Sequence, residues 1–145
     1  MRMKSRRFLI AAVMAFLATI PGMAQTSSQA QAVKGYLGGQ RLLVTYRQGG
    51  PAYGTYFSLQ VHLCRSGNYM TFGQSRKQTV LGNEQVNNWR DRGKWDVGVF
   101  AGQLGVQYVS MSGQTNFVPI RVMPNGSIQA GNGLSVVRQG NAQCP

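Results

Sequence analysis

The sequence predicts an all-β domain, an antiparallel up-and-down meander barrel of about eight strands, with a β-sandwich as the alternative. Residues 53–63 alternate apolar side chains with mostly polar ones, which is the two-residue period of a strand with one dry face. Short strand-like segments recur along the chain, separated by glycine-containing turns, and no internal segment has a sustained helical period. Regular short strands with local turns are typical of meander barrels and sandwiches.

The clearest hairpin runs from residue 53 to residue 74 and turns at residues 65–68, RSGN. Its dry face predicts a piece of core made of Phe57, Leu59, Val61 and Leu63. Together with this hairpin, the same pattern predicts strands over residues 41–47, 53–63, 69–72, 78–81, 95–100, 104–111, 117–123, 127–130 and 134–138.

Three further features limit these strands or separate them. Pro119 cannot donate to a ladder and limits its strand to an edge or a bulge. Asn125-Gly126 suits a type I′ hairpin turn. Residues 83–94 form the most charged and least strand-like internal segment and are predicted as a polar loop.

Residues 1–24 have the three parts of a secretory signal peptide. Residues 1–7 carry four positive charges, residues 8–20 are thirteen almost continuously apolar residues, and small residues precede a cleavage site after Ala24. A membrane span needs about 20 apolar residues, so an anchor is disfavoured. Arg6-Arg7 also resembles a twin-arginine export signal. The sequence therefore predicts a periplasmic or extracellular protein without a transmembrane segment in its mature chain.

The mature chain divides into a polar lead-in, residues 25–36, predicted to be flexible, and a single barrel domain, residues 37–145. Four of the 15 lysines and arginines lie in the signal peptide, which leaves eleven against three acids and a net charge of +8. A dispersed positive surface favours anionic partners, although a modest excess of arginine also keeps an exported protein soluble.

Two cysteines, Cys64 and Cys144, remain in the mature chain. An even pair in an oxidising compartment predicts a disulfide. This bridge would fix the penultimate residue to the end of the central strand and prevent the tail from fraying. A metal site is disfavoured because His62 is the only histidine.

Gly93-Lys94-Trp95, followed by alternating apolar residues, resembles the Gly-x-Trp motif of lipocalin-like and other small secreted β-barrel domains. Lipocalins carry this motif on the first barrel strand, whereas here it falls in the second half of the mature chain. The order Leu-Cys-x-Ser-Gly-x-Tyr, Gly-x-Trp-x-Val and Pro-Asn-Gly over residues 63–126 is similar to that of small exported bacterial barrels of unassigned function. The resemblance implies an exported barrel.

Catalysis needs titratable groups that converge in a pocket, and the mature chain offers one histidine and three acids, Glu84, Asp91 and Asp96. No catalytic triad, carboxylate pair, phosphate loop or metal-ligand spacing is present in the sequence. His62 is predicted as a partly exposed strand residue rather than as a base. We therefore expect no enzyme activity and no cofactor.

The best binding candidate is a predicted loop over residues 89–95, with Trp89, Arg90, Arg92 and Lys94 as its binding residues. Indoles between cations stack on sugars or bases and pair with anionic groups. The alternative is that Trp95 is core, Trp89 packs at the barrel rim and Asp91 neutralises Arg90 or Arg92.

Three functional hypotheses follow. The first is a non-catalytic, lipocalin-like barrel that holds a small apolar or amphipathic ligand, in a pocket that six aromatic residues could line: Tyr46, Phe57, Tyr69, Phe72, Tyr108 and Phe117. The second is an interaction protein that binds an anionic glycan, lipid headgroup or protein through the 89–95 loop, without specificity for nucleic acid. The third is a secreted enzyme inhibitor.

Overall fold

The computed structural model describes residues 21–50 and 54–145. One helix precedes eight strands: α1 (Pro21–Leu37), β1 (Gln40–Gln48), β2 (Thr55–Leu63), β3 (Asn68–Gln78), β4 (Glu84–Phe100), β5 (Gln103–Ser110), β6 (Thr115–Val122), β7 (Ile128–Ala130) and β8 (Ser135–Asn141). Each strand pairs antiparallel with the next, and β8 pairs with β1 to close a barrel. The predicted eight-stranded meander barrel is therefore confirmed.

The predicted signal peptide lies outside the described residues as far as residue 20, and the predicted cleavage site after Ala24 falls within α1. Within residues 21–50 and 54–145, we find no helix that is long and apolar enough to cross a membrane.

Alternate residues of each strand face the barrel interior, as the pleat requires. The inward face of β1 carries Leu42, Val44 and Tyr46, which lie opposite Val61, Leu59 and Phe57 of β2. The predicted dry faces of these two strands are thus the inner wall of the barrel.

We call the end of the barrel where α1 lies the closed end, and the opposite end the far end. Well-buried core residues gather towards the closed end: Leu37, Leu42, Leu63, Tyr69, Trp95, Val97 and Ile128. The indole Nε1 of Trp95 donates to the carbonyl of Cys64 at 2.9 Å, and the Tyr36 hydroxyl donates to the carbonyl of Gly126. These bonds connect β4 to the β2–β3 turn and α1 to the β6–β7 turn. The alternative prediction that Trp95 is a core residue is therefore confirmed, and Trp95 lies at the closed end.

The predicted flexible lead-in, residues 25–36, is helical and belongs to α1. Ala30, Val33 and Leu37 lie three and four residues apart and therefore share one face of the helix. All three belong to the core or pack against it. Small apolar residues among glutamines and serines give a weak period in the sequence, so the helix depends on its contact with the barrel.

The predicted polar loop over residues 83–94 is also wrong, because β4 runs without interruption over 17 residues. Residues 84–94 pair with β3, from Gln78 opposite Glu84 to Asn68 opposite Lys94, and the last part of β4 pairs with β5 from Gly93 onward. The two neighbours of β4 are staggered, so they pair with largely different parts of this long strand. The predicted strand over residues 78–81 does not form, because β3 ends at Gln78 and a turn follows.

Four hairpins use the same turn. In each, a glycine N–H donates to the carbonyl three residues earlier, and the residue at that position donates to the carbonyl of the residue after the glycine. The four glycines have left-handed φ values of 79° to 89°: Gly67, Gly82, Gly113 and Gly126. This is a three-residue loop ending in a glycine bulge. The predicted type I′ turn at Asn125-Gly126 is wrong, since only Gly126 of the two has positive φ; Pro124 before them fixes a negative φ that suits the ordinary turn.

The predicted disulfide joins Cys64 to Cys144. The tail after β8 is also held by two hydrogen bonds from its backbone, from Ala142 to the carbonyl of Gly39 and from Gln143 to the His62 ring. The chain end therefore lies against β2 at the closed end.

Candidate ligand-binding cavity

A cavity of about 590 Å³ occupies the barrel interior. It extends from Leu37 at the closed end to Gln48, Asn132 and Leu134 at the far end. Its wall is mostly apolar and aromatic, with polar groups from Thr71, Asp91, Gln114 and Asn116 among others. Small-molecule sites combine an apolar wall with a few polar groups in this way.

The interior is packed at one end and hollow at the other. Leu42 and Leu63, at the closed end, are 6% and 4% exposed. Val44, Val61 and Val106 face the same interior but are only partly buried. Protein interiors are normally packed as densely as organic crystals, so partly exposed aliphatic side chains on an inner wall mark an unfilled space.

Three aromatic rings form a cluster in the hollow part. Tyr46 and Phe57 stack with ring centroids 4.6 Å apart, and Phe57 meets the edge of Trp89 at 6.1 Å. The Trp89 indole lies against Gly73 of β3, where a Cβ atom would clash with the ring. Gly73 therefore provides the space that brings Trp89 against the inner wall. Gly73 could not be recognised from the sequence because its role depends on Trp89, a partner from another strand.

A carboxylate also faces this interior. Asp91, two residues after Trp89 on β4, accepts a hydrogen bond from the Tyr69 hydroxyl at 2.8 Å and another from the Arg92 backbone N–H at 2.8 Å. Tyr108 packs edge-on against Tyr69, with ring centroids 5.6 Å apart. The hollow thus combines aromatic faces with one acidic group.

The interior tyrosines resist ionisation. Burial raises the pKa of Tyr69, and the hydrogen bond to Asp91 and the charge of that carboxylate raise this pKa further. Burial also raises the pKa of Tyr108, with smaller effects from Tyr46 and Asp91, and burial raises the pKa of Tyr46. The hydroxyls of these tyrosines therefore remain neutral hydrogen-bonding groups at ordinary pH.

The residues of the predicted binding loop are present, but on a strand and on two opposite faces. Trp89 lines the cavity, whereas Arg90, Arg92 and Lys94 are exposed on the outer face of β4. Arg90 lies over the ring of Phe72 at 5.3 Å, outside the barrel. The prediction that indoles and cations act together is therefore wrong. Successive residues of a strand point to opposite faces, so Trp89 lies inside the barrel and the three cations lie outside it.

The six aromatic residues predicted to line a pocket divide in the same way. Tyr46, Tyr69, Tyr108 and Phe117 line the cavity, and Phe57 packs inside through its contacts with Tyr46 and Trp89. Phe72 faces outward instead and meets the edge of the His62 ring at 5.7 Å.

His62 is buried, not partly exposed as predicted. Its side chain is 2% exposed, and the Gln143 backbone N–H donates to its Nδ1 at 2.9 Å. The residue faces away from the barrel interior but is covered by the C-terminal tail. Sequence spacing could not show this burial because the cover comes from a segment about 80 residues later.

No group of three or more histidine, cysteine, aspartate or glutamate residues that could hold a metal ion occurs within residues 21–50 and 54–145. Comparisons with protein-family models, curated proteins and solved structures found no match.

Proposed function

We propose that this protein is a non-catalytic binding protein that holds a small apolar or amphipathic ligand inside its barrel. The observation that carries this proposal is the hollow of about 590 Å³, bordered by aliphatic and aromatic side chains. Ligand pockets of about 300–1,000 Å³ enclose most of a small molecule. Barrels of about eight strands have an interior that either fills with side chains or holds one small ligand.

The rigid wall supports the same function. Each of the eight strands is paired on both sides over part of its length, so the wall does not depend on a ligand for its form. A preformed cavity lowers the entropic cost of binding because few side chains must be ordered. His62, the only imidazole in the chain, faces out of the barrel under the tail and would take no part in binding.

The test is a titration with N-phenyl-1-naphthylamine, a neutral apolar probe, in which isothermal calorimetry measures the binding. Val106→Trp places an indole in the cavity and is expected to weaken binding about tenfold or more, because the larger side chain occupies the ligand's volume. Val109→Trp, on the same strand but 37% exposed and outside the barrel, is the matched control and should bind like the wild type. Equal binding by all three proteins, or no binding by the wild type, would overturn the proposal.

We also infer that the protein works after export. A disulfide persists in oxidising compartments and rarely in the cytosol, and Cys64–Cys144 fits that environment. Residues 1–24 carry the pattern of a secretory signal, as described above. The inference is checked by expressing the full chain in a bacterial host and determining the N-terminal residue of the periplasmic product, which should be Gln25.

One observation favours a second function on the outer wall. Arg90, Arg92 and Lys94 form a row on one face of β4, and within the described part of the chain none of them forms an ion pair. Same-face neighbours along a strand are about 7 Å apart, so the row presents a line of positive charge. We propose that this row binds an anionic polysaccharide.

Dextran sulfate is the probe for the outer row. Changing all three residues to alanine should weaken binding severalfold and reduce its salt dependence. Changing three exposed cations elsewhere, Arg65, Lys77 and Arg121, removes the same charge and should weaken binding less. If both triple variants lost the same affinity for dextran sulfate, the net charge of the protein would explain the binding, and the proposal would be overturned.

A further inference from the structure

The chain has three acidic residues, and two of them lie within ion-pair distance of a cation. Asp96 pairs with Lys34 of α1 at 2.9 Å, and Glu84 lies 4.0 Å from Arg76. The third, Asp91, lines the cavity, and no cationic side chain of the described residues lies within ion-pair distance of it. In a strongly basic protein, the acid that has no cationic partner among residues 21–50 and 54–145 is the one that lines the cavity.

We infer that the cavity binds a cationic amine carried on an apolar or aromatic body, with Asp91 as its counter-ion. This inference rests on the proposed ligand-binding function and specifies its chemical class. A charge-assisted hydrogen bond from an ammonium group to a carboxylate is about twice as strong as a bond between neutral groups.

The hydrogen bonds of Asp91 orient its carboxylate and leave capacity for a ligand. Oδ2 accepts from Tyr69 and Oδ1 from the Arg92 backbone N–H. A carboxylate can accept about four hydrogen bonds, so about two positions remain. Both existing partners hold the group in place, which reduces the entropy lost when an ammonium group binds.

Aromatic side chains line the same cavity. Trp89, Tyr46 and Tyr108 line the cavity together with Asp91. The face of an aromatic ring attracts a cation within about 6 Å, and tryptophan attracts it best. The same rings pack against the apolar body of the ligand. One acid among aromatic rings therefore suits an arylalkyl ammonium ion better than a neutral lipid or an anion.

The overall positive charge of the protein does not remove this preference. The cations of β4 lie on its outer face, and Arg47, at the end of β1 away from α1, is the one cation among the described residues that lines the cavity. Charges in water are screened over about 8 Å at physiological ionic strength, whereas a partly enclosed pair is screened much less. The nearby carboxylate therefore determines which ligand charge is favoured.

A matched pair of probes tests the inference. Tryptamine and tryptophol share the indole and the two-carbon chain and differ only in an ammonium against a hydroxyl group. The wild type should bind tryptamine about tenfold more tightly than tryptophol in calorimetric titrations, as expected for a hydrogen bond to a charged group. Indole-3-propionate, which carries a negative charge, should bind more weakly than either.

Asp91→Asn removes the charge but keeps an oxygen that can accept from Tyr69. It should bring the affinity for tryptamine down to that for tryptophol, whose own affinity should change little. Asp96→Asn removes the same charge from outside the cavity and should leave the ratio of the two affinities unchanged. Near-ultraviolet circular dichroism checks that each variant keeps the packing of the wild type.

The outcomes separate this inference from the function on which it rests. A wild type that binds tryptophol as well as tryptamine overturns the amine assignment even if Asp91→Asn fails to fold. An unchanged ratio in folded Asp91→Asn also overturns it. In both cases, binding of N-phenyl-1-naphthylamine that Val106→Trp weakens would leave the ligand-binding function intact. If no probe binds, the function and the inference both fail.

Discussion

The imidazole of His62 is held in its neutral form by its contacts. Nδ1 accepts the Gln143 N–H, so a proton on Nδ1 would replace an acceptor with a second donor and break that bond. Burial lowers the pKa of His62, and the positive charge of Arg41 on the neighbouring strand lowers it further. Within residues 21–50 and 54–145, no acidic group lies within ion-pair distance of His62.

This environment predicts a loss of stability in mild acid. The unfolded chain takes up a proton near the ordinary His pKa of 6.5, whereas the folded chain does so only at lower pH. The free energy of unfolding should therefore be at its full value above pH 6.5 and should fall as the pH decreases below it. Urea denaturation of the wild type at about pH 7.5 and pH 5 measures the difference.

His62→Gln is the control for this prediction, because its amide oxygen can accept from Gln143 without titrating. The variant should lose much less stability between the two pH values. The pKa of Asp96 is lowered from 3.8 by its hydrogen bond to Lys34, so this carboxylate stays ionised over the same window and does not contribute. An equal loss in the wild type and the variant would contradict the assignment to His62.

The positions of individual side chains were harder to predict from the sequence than the fold. Trp95 could be placed in the core because it follows a clear alternation, and Cys64 and Cys144 could be paired because only two cysteines exist. Asp91 was assigned to a loop, although its place two residues from Trp89 puts both on one face once the segment is a strand. The period was hidden because residues 84–88 are exposed on both faces of β4, so polar Asn87 and Asn88 follow one another without an apolar alternation.

Among the secondary-structure elements, the repeated glycine turn gives the sharpest prediction. Gly113 has a φ of +88°, and a Cβ atom there would meet nothing within 4 Å. Gly113→Ala should therefore cost only the strain of a left-handed backbone, about 1–2 kcal/mol of unfolding free energy. Denaturant titration gives the value directly.

Gly98→Ala is the matched comparison, because that Cβ also meets open space but the backbone is not left-handed. It should change stability little or raise it slightly. Gly113→Asn should fall between the two, since asparagine tolerates the left-handed conformation better than alanine. If the two alanine variants were equally stable, the turn would not depend on glycine for its conformation.

The elements divide by how local their determinants are. The strands with regular alternation and the hairpins with glycine turns were predictable because both signals lie within a few residues. The helix α1 and the first half of β4 were not, because each gains its structure from a partner distant in the chain. For α1 the partner is the end of the barrel, and for residues 84–94 it is β3.

At the scale of the whole molecule, the disulfide is a covalent link between residues that are far apart in the sequence. It joins residues 80 positions apart and closes most of the barrel sequence into one loop. Replacing both Cys64 and Cys144 by alanine should lower the free energy of unfolding by about 4–5 kcal/mol on the chain-entropy model. The wild type treated with a reducing agent should unfold at the same denaturant concentration as the double variant.

The same variant gives a second readout. Without the bridge, the tail that covers His62 is retained by the bonds from Ala142 to Gly39 and from Gln143 to the His62 ring, so the ring should become more accessible and its pKa should move back towards 6.5. The pH dependence described above should then diminish. A double variant that keeps the full stability of the oxidised protein would show that the tail is held by its other contacts.

Both segments outside the barrel wall, α1 and the tail after β8, meet the molecule at the closed end. A resin, a fusion partner or a sensor surface joined through either segment would therefore sit on the side away from Gln48 and Asn132. Every immobilised copy would present the hollow half of its barrel to the solution in the same orientation. The position of α1 and of the tail after β8 thus makes this barrel suited to oriented display, and it allows the ligand titrations to be repeated on a surface.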